Sequence, residues 1–182
     1  MSSDEKARGA LVDLLGSQKF AALATQSDGH PYLSLMAFAA SGDLRRLIFV
    51  TERETRKFAN LVANERTAVL VDNRSNDAAD LIAAVAVTAE GRAAGLEGQA
   101  RSEAVELFLR KHPSLASFAA SDTCAVIQVT VEAYHVVSEF QEARILYRDQ
   151  RQADVVDCRR RHVCPQSARG ESARSPRCLS ES

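Results

Sequence analysis

The chain has 182 residues, of which 46% are hydrophobic and 26% charged, and its formal net charge is −1. This length suits one domain with a sizeable core, and the near-neutral charge argues against general binding to nucleic acid. No apolar run approaches the ~18 residues that span a bilayer, and residues 1–16 resemble neither a signal peptide nor an anchor, so we expect no membrane association and a cytoplasmic protein.

The chain opens with a helical pattern and then changes to strands. Leu11, Leu14 and Leu15 form an apolar stripe that predicts an N-terminal helix. The segments "KFAALATQ", "PYLSLMAFAA" and "RRLIFVT" follow as strands. The turns "SDGH" and "SGD" join them, and short turns between successive strands predict an antiparallel meander.

The middle of the chain alternates between further helices and strands. "TRKFANLVAN" predicts a helix with Phe58, Leu61 and Val62 on its buried side, and "TAVLVD" predicts a strand buried on both faces. "NRSNDAADLIAA" is typical of a loop or a short helical turn, and "VAVTAEGRAAGL" of a fifth strand. A helix over residues 98–110 should end near His112. "TCAVIQVTVEAYHVVS" then predicts one or two strands and "EARILY" a last short one.

These elements predict a mainly β fold, a six- to seven-stranded antiparallel split β-barrel with two to three α-helices over residues 1–147. Side chains fill the interior of so small a barrel. A ligand would therefore bind on the outer wall or between subunits.

Residues 148–182 differ from the rest of the chain in composition. They carry eight Arg and five acidic residues without periodic apolar spacing, so we expect a mostly disordered tail. Cys158, Cys164, Cys178 and His162 lie there, but their spacing matches no standard zinc motif. We expect free thiols and no metal site, and we expect Cys124, at the start of an apolar strand, to be buried.

Hydroxyls and cations crowd the junction between the third strand and the next helix. Thr51 ends the strand, and Thr55, Arg56 and Lys57 open the helix. A helix N-terminus has unpaired N–H groups, and these side chains add hydroxyl donors and positive charge, which together suit a phosphate. The alternative is that Thr55 caps the helix and both cations are solvated. Cations in a first helical turn oppose the macrodipole, which favours the anion.

The same region carries a resemblance to a known family. "LIFVTERETRKFANLVANERTAVLV" resembles the phosphate-binding segment of the pyridoxamine 5'-phosphate oxidase-like FMN-binding split barrels. "FAALATQSDGHPYLSLMAFAA" is similar to their opening hairpin, and "VAVTAEGRAAGL" to their later Val-x-Gly-x-Ala strand. The resemblance covers residues 15–147. It implies an FMN cofactor and a homodimer with the cofactor at the subunit interface, since the flavin of this family lies between two barrels.

The resemblance also implies which residues bind the cofactor. It assigns four residues to the FMN phosphate, namely Thr51, Thr55, Arg56 and Lys57. It places four others beside the ribityl chain and the ring, namely Ser34, Leu35, Met36 and Val50.

Several positions depart from the family pattern. Ala86 stands where pyridoxamine phosphate oxidase has a flavin-contacting Gln, and Ala39 or Ala40 where it has a basic residue. Arg74 or a neighbouring Asn in the preceding loop is a candidate to replace those contacts, the alternative being an exposed loop arginine. The Arg- and Trp-containing segment that binds the vitamin B6 substrate has no counterpart, and the chain has no Trp. We therefore do not expect a genuine pyridoxamine phosphate oxidase.

The sequence contains no protein-side catalytic group with a recognisable motif. This suits a flavoprotein, in which the cofactor carries the redox chemistry. We expect an FMN-dependent oxidoreductase that transfers hydride or electrons between a reduced nucleotide and an unknown acceptor. The alternatives are a non-catalytic flavin-binding stress or sensor protein, and a member of the fold that uses haem or a deazaflavin. Haem would need His30 or His135 beside the cleft.

Overall fold

The computed structural model describes residues 3–138, 142–147 and 156–157. Five α-helices lie in these residues, with a 3₁₀ turn at Pro113–Leu115: α1 (Ser3–Ser17), α2 (Arg56–Ala63), α3 (Asp80–Ala83), α4 (Gly98–Lys111) and α5 (Ala116–Ala119). Eight strands lie in the same residues: β1 (Phe20–Ser27), β2 (His30–Ala40), β3 (Arg46–Glu52), β4 (Arg66–Asp72), β5 (Ala86–Leu96), β6 (Cys124–Ser138), β7 (Glu142–Tyr147) and β8 (Val156–Asp157). Apart from β8, the tail that we predicted to be disordered lies outside the described residues.

The strands form one antiparallel sheet that closes on itself. Its order is β3-β2-β1-β4-β5-β6, and a further pairing of β3 with β6 completes a six-stranded barrel. β7 and β8 extend the sheet beyond β6. The predicted split-barrel fold class is confirmed. The described residues hold more helices than we predicted, because α3 and α5 have four residues each and are too short to show a helical period.

The first hairpin forms where the sequence indicates it. Asp28 and Gly29 both have positive φ, at 51° and 78°, as a two-residue turn between right-twisted strands requires. This turn sets the register in which Leu23 pairs with Ser34 and Ala22 with Leu35. Leu23 and Ser34 therefore point into the barrel, and Ala22 and Leu35 point out.

Two apolar clusters hold the barrel. The first fills its interior with α1 packed against it, and includes Leu11, Leu23, Phe38, Phe49 and Val69. The second lies between α4 and the outer wall, and includes Ala39, Ile48, Val50, Phe108 and Val126. β3 is thus buried on both faces along most of its length. Cys124 is buried in the second cluster, as predicted.

Two predictions of burial are wrong. Val62 is 73% exposed, and Asn60 is buried beside Leu61 because its amide donates a hydrogen bond to Thr25 Oγ1 over 3.0 Å. β4 is not buried on both faces, since its outward Leu70 is 37% exposed. An antiparallel strand in a barrel wall needs only one face in the core.

Neither a membrane span nor a metal cluster is found in the part of the chain that the structure describes. None of its helices is long and apolar enough to cross a membrane. No three of its His, Cys, Asp and Glu side chains group closely enough to hold a metal ion. The three tail cysteines and His162 lie outside the described residues.

Candidate functional site

The junction between β3 and α2 brings two hydroxyls together. Thr51 is buried at the end of β3, and its Oγ1 lies 3.3 Å from Oγ1 of Thr55. Thr55 is the N-cap residue with extended backbone angles, which confirms the predicted start of the helix. Its hydroxyl, however, donates to the carbonyl oxygen of Glu52 over 2.9 Å and makes no capping hydrogen bond. The first N–H groups of α2 are therefore left without this side-chain cap.

The two cations of the first turn have no acidic partner in the described residues. The Arg56 guanidinium lies 4.7 Å from the ring centroid of Tyr32, and no ion pair joins it to a described carboxylate. Lys57 likewise forms no ion pair there. Arg56 is exposed and Lys57 is half-buried. Two positive charges at the positive end of a helix dipole repel it, so an anion at this position would be stabilised.

The remaining residues that the resemblance assigns to the cofactor are divided between the two faces of the wall. Ser34 points inward on β2, two residues beyond Tyr32, and its Oγ is buried without a hydrogen-bond partner in the described residues. Met36 points inward and is buried in the core. Leu35 points outward and is 76% exposed, whereas Val50 is buried beneath α4. Of the β2 residues, Tyr32 contacts the junction through Arg56, and Ser34 follows two positions further along on the same inward face.

Arg74 lies apart from the junction, at the start of the loop between β4 and β5. Its guanidinium pairs with Asp72 over 3.1 Å and is mostly exposed. The loop itself is ordered by Asp80, whose carboxylate accepts hydrogen bonds from the N–H groups of Ser75, Asn76 and Asp77. In the described residues, the structure gives Arg74 a surface ion pair.

The outer wall carries an apolar surface across β2, β1 and β4. Leu35 pairs with Ala22 across the sheet, and Ala22 pairs with Leu70 on its other side. Leu33 is 68% exposed on the same face, and Phe20 is also exposed. We call these residues, Phe20, Ala22, Leu33, Leu35 and Leu70, the outer apolar surface. A contiguous surface of exposed apolar side chains commonly marks a site of interaction with another molecule.

Of the two histidines considered above, His135 lies on the outer wall and His30 in the first hairpin. His135 pairs with Thr88 on β5, and Thr88 pairs with Leu70 of the outer apolar surface. Its Nε2 is buried without a hydrogen-bond partner in the described residues, and the Glu90 carboxylate is 3.5 Å away. His30 is exposed.

Three groups with shifted pKa values lie near the start of β3 and the turn before it, away from the junction. Burial raises the pKa of the Tyr134 hydroxyl, helped by the negative charge of Asp43, and this hydroxyl donates to the Leu44 carbonyl oxygen over 2.7 Å. A hydrogen bond from Ser41 lowers the pKa of Asp43. Burial lowers the pKa of Lys111 to about 8. None of these groups belongs to the junction.

Sequence reasoning missed two contributors to the site. The Tyr32 ring contacts the Arg56 guanidinium, and because these residues are 24 positions apart in the sequence, no local pattern predicts the contact. Asn60 ties α2 to β1 through Thr25. A polar residue beside Leu61 on the buried face of α2 was the available signal for it, since a buried amide must find a partner.

Comparisons with known proteins agree with the observed fold. The family model described as pyridoxamine 5'-phosphate oxidase matches residues 7–138. No curated protein matches the chain by sequence.

Several solved structures share the fold. A heme binding protein from Mycobacterium smegmatis is 20% identical with a TM-score of 0.69, over 81% of this chain and 58% of that one. ChuZ from Campylobacter jejuni is 15% identical with a TM-score of 0.70, over 81% and 62%. A FAD-binding protein from Mesorhizobium loti is 17% identical with a TM-score of 0.57, over 75% and 94%. The chain thus spans less than two thirds of the length of the first two, and at these identities the likeness concerns the fold alone.

Proposed function

Because the chain belongs to the pyridoxamine 5'-phosphate oxidase family, we propose that it is an FMN-dependent oxidoreductase. It would transfer hydride or electrons between a reduced nucleotide and a small-molecule acceptor. The chain has no Trp, and Ala86 stands at the position of the family's flavin-contacting Gln, so vitamin B6 oxidation is not the activity proposed.

The observation that carries the proposal is the pair of cations without acidic partners at the start of α2. Arg56 and Lys57 form no ion pair in the described residues, and the Thr55 hydroxyl does not cap the helix. A phosphate dianion would accept hydrogen bonds from the first N–H groups of α2 and from the hydroxyls of Thr51 and Thr55, which would turn to it from their present acceptors. Arg56 would bind two phosphate oxygens at once, held in place by the Tyr32 ring.

The residues on β2 fit the rest of the cofactor chemically. The buried Ser34 hydroxyl lacks a partner in the described residues, and an unsatisfied buried hydroxyl costs free energy that a ribityl hydroxyl would recover. Met36 and Val50 are buried on opposite faces of the wall and would keep the strands rigid beside the cofactor. Bound FMN would supply the hydride and electron chemistry, and the chain would bind, orient and shield it.

The outer apolar surface supports the proposed homodimer. Leu33 and Leu35 expose most of their side chains to solvent in a single chain. Burying them against a second copy would release ordered water and stabilise the pair, at about 25 cal/mol per Å² of apolar area removed from water. The dimer would bury Leu33 and Leu35 of each subunit against its partner.

The test compares FMN with riboflavin, which lacks the phosphate. In the variant Arg56→Ala/Lys57→Ala we expect FMN affinity to fall by at least about 100-fold, since each charge-assisted hydrogen bond contributes about 1.5–3 kcal/mol. Riboflavin affinity should change by less than about threefold, because riboflavin makes no phosphate contact. The control Lys6→Ala/Arg8→Ala removes the same charge from the exposed face of α1 and should leave both affinities unchanged. Equal losses for FMN and riboflavin would contradict the assignment.

Haem is the second candidate, favoured by one observation. His135 lies on the outer wall, and its Nε2 makes no hydrogen bond in the described residues; the Glu90 carboxylate, 3.5 Å from this atom, would have to move aside for a haem iron to bind there. The absorption spectrum of the purified protein with added FMN or haem separates the two. Flavin bands and oxidation of NAD(P)H support the first proposal. A Soret band that is lost in His135→Ala supports haem, and flavin binding without turnover supports a sensor or stress protein.

A further inference from the structure

A cavity of about 420 Å³ lies between the C-terminal ends of α1 and α4 and the turn between β2 and β3. Its wall is largely apolar, and no carboxylate of the described residues lines it. Both of its ionisable lining groups are cations. The lining residues that bear on its chemistry are Val12, Leu15, Leu44, Leu107, Arg110 and Lys111.

The Lys111 amine is the nucleophilic group of this cavity. Its Nζ donates a hydrogen bond to the Leu15 carbonyl oxygen over 2.7 Å and lies 4.0 Å from the ring centroid of Phe38. The side chain is half-buried and forms no ion pair in the described residues. Burial lowers the pKa of Lys111 from 10.5 to about 8, so a larger fraction of the amine is neutral and nucleophilic near neutral pH than for an exposed lysine.

Few charged groups line this cavity, but Glu103 and Glu106 of α4 line the adjoining cavity that Arg110 also reaches. Arg110 lines the same cavity from α4, and the residues of α1 that line it are uncharged. The His112 ring lies 2.8 Å from the Phe38 carbonyl oxygen, through its Nε2, and is buried. In the turn, Asp43 accepts hydrogen bonds from Ser41 and from the Arg45 backbone. Arg110 is therefore the cation of the cavity wall that an anion would meet, whereas burial, not a neighbouring charge, lowers the pKa of Lys111.

We propose that Lys111 is an acylation site for small activated acyl compounds of the acyl phosphate class. The neutral amine attacks the acyl carbonyl carbon, so that a C–N bond forms and the bond between the acyl carbon and the phosphate oxygen breaks. Phosphate leaves with the bonding electron pair, and the amine proton passes to solvent. No oxidant or reductant is needed.

The cavity suits both the reagent and the product. Arg110 would hold the phosphate end of the reagent, and the apolar wall would take the acyl group. The resulting amide keeps one N–H, which can still donate to the Leu15 carbonyl oxygen. It carries no charge, so it also removes the cost of half-burying an ammonium.

The experiment measures acetylation of the full-length protein by acetyl phosphate near neutral pH, resolved by peptide mass spectrometry. The chain has four lysines, Lys6, Lys19, Lys57 and Lys111, so the other three are internal standards. We expect Lys111 to react at least about tenfold faster than any of them, because its neutral fraction is larger. In urea this advantage should vanish. Equal rates in the folded protein, or an advantage that persists in urea, would overturn the proposal.

A second comparison tests the anion contact. Arg110→Gln should slow acetylation of Lys111 by acetyl phosphate about threefold, because the cation that would hold the phosphate end of the reagent is lost, and should leave the rate with uncharged acetic anhydride unchanged. Equal effects on both reagents would overturn the role of Arg110. Neither outcome depends on FMN, so the proposed flavin function is tested separately.

Discussion

Gly91 offers the sharpest test of how the barrel closes. It lies on β5, where the pairing with β6 shifts register between Glu90 and Gly91. A Cβ atom placed on Gly91 would lie 2.2 Å from the carbonyl oxygen of Thr130 and 3.1 Å from Cα of Val131. Ordinary contacts of a Cβ begin near 3.4 Å. Gly91→Ala therefore forces the two backbones apart by more than about 1 Å, since neither contact is with a flexible side chain.

The cost follows from what this movement disrupts. β5 and β6 form the longest pairing of the barrel, and Val87, Ala89 and Val129 pack into the core beside it. Overpacking costs about 1–3 kcal/mol, and the loss of one or two ladder hydrogen bonds adds about 1 kcal/mol each. We expect the free energy of unfolding to fall by about 2–5 kcal/mol. For a chain of this length that lowers Tm by roughly 5–15 °C.

Gly95 supplies the matched control on the same strand. A Cβ there meets nothing within 4 Å, so Gly95→Ala should change the free energy of unfolding by less than about 0.5 kcal/mol. The assay is urea unfolding of both variants, followed by circular dichroism with Tm measured alongside. If Gly91→Ala unfolds like the parent, or if Gly95→Ala is equally destabilised, the close approach of the two strands at this bulge is not what the barrel requires.

Three further predictions concern association, pH and the loop. Leu35→Glu should convert the proposed dimer to a monomer in sedimentation, whereas Val62→Glu, which is about equally exposed but lies on α2, should leave it a dimer. If both variants sediment as dimers, the outer apolar surface is not the interface. Because burial lowers the pKa of Lys111 to about 8, the folded protein binds fewer protons than the unfolded chain between that pH and 10.5, and stability should rise with pH across this window. Urea titrations at several pH values should show a smaller rise in Lys111→Met, and an identical profile would exclude this cause. Arg74→Ala breaks an exposed pair with Asp72 and should change stability by less than about 1 kcal/mol, while a tenfold loss of FMN affinity in calorimetry would place Arg74 at the cofactor.

Local patterns predicted those parts of the fold whose causes are local. The Asp-Gly turn specified the first hairpin, and Thr55 marked the start of α2, because turn and cap preferences act over a few residues. The face of α2 was only partly predicted. Its periodicity suggested Val62, but the contact with Thr25 buries Asn60.

The candidate site was predicted in part for the same reason. The crowding of Thr51, Thr55, Arg56 and Lys57 is visible in the sequence because these residues are neighbours along the chain. That Tyr32 supports Arg56, and that the Ser34 hydroxyl is buried without a partner in the described residues, depends on how β2 lies against α2. Whether these residues bind FMN stays a prediction.

The sequence by itself determined the order of strands and helices, the first turn and the helix start that carries the two cations, since periodicity, turn chemistry and capping are properties of adjacent residues. Only the tertiary structure decided which outward side chains stay exposed, such as Leu35, and which are covered by α4, such as Val50. It also decided that Lys111 meets Leu15 across 96 positions of sequence. Leu35 and Val50 both lie on the outward side of a strand. Their environments differ because burial depends on which distant element packs against that strand.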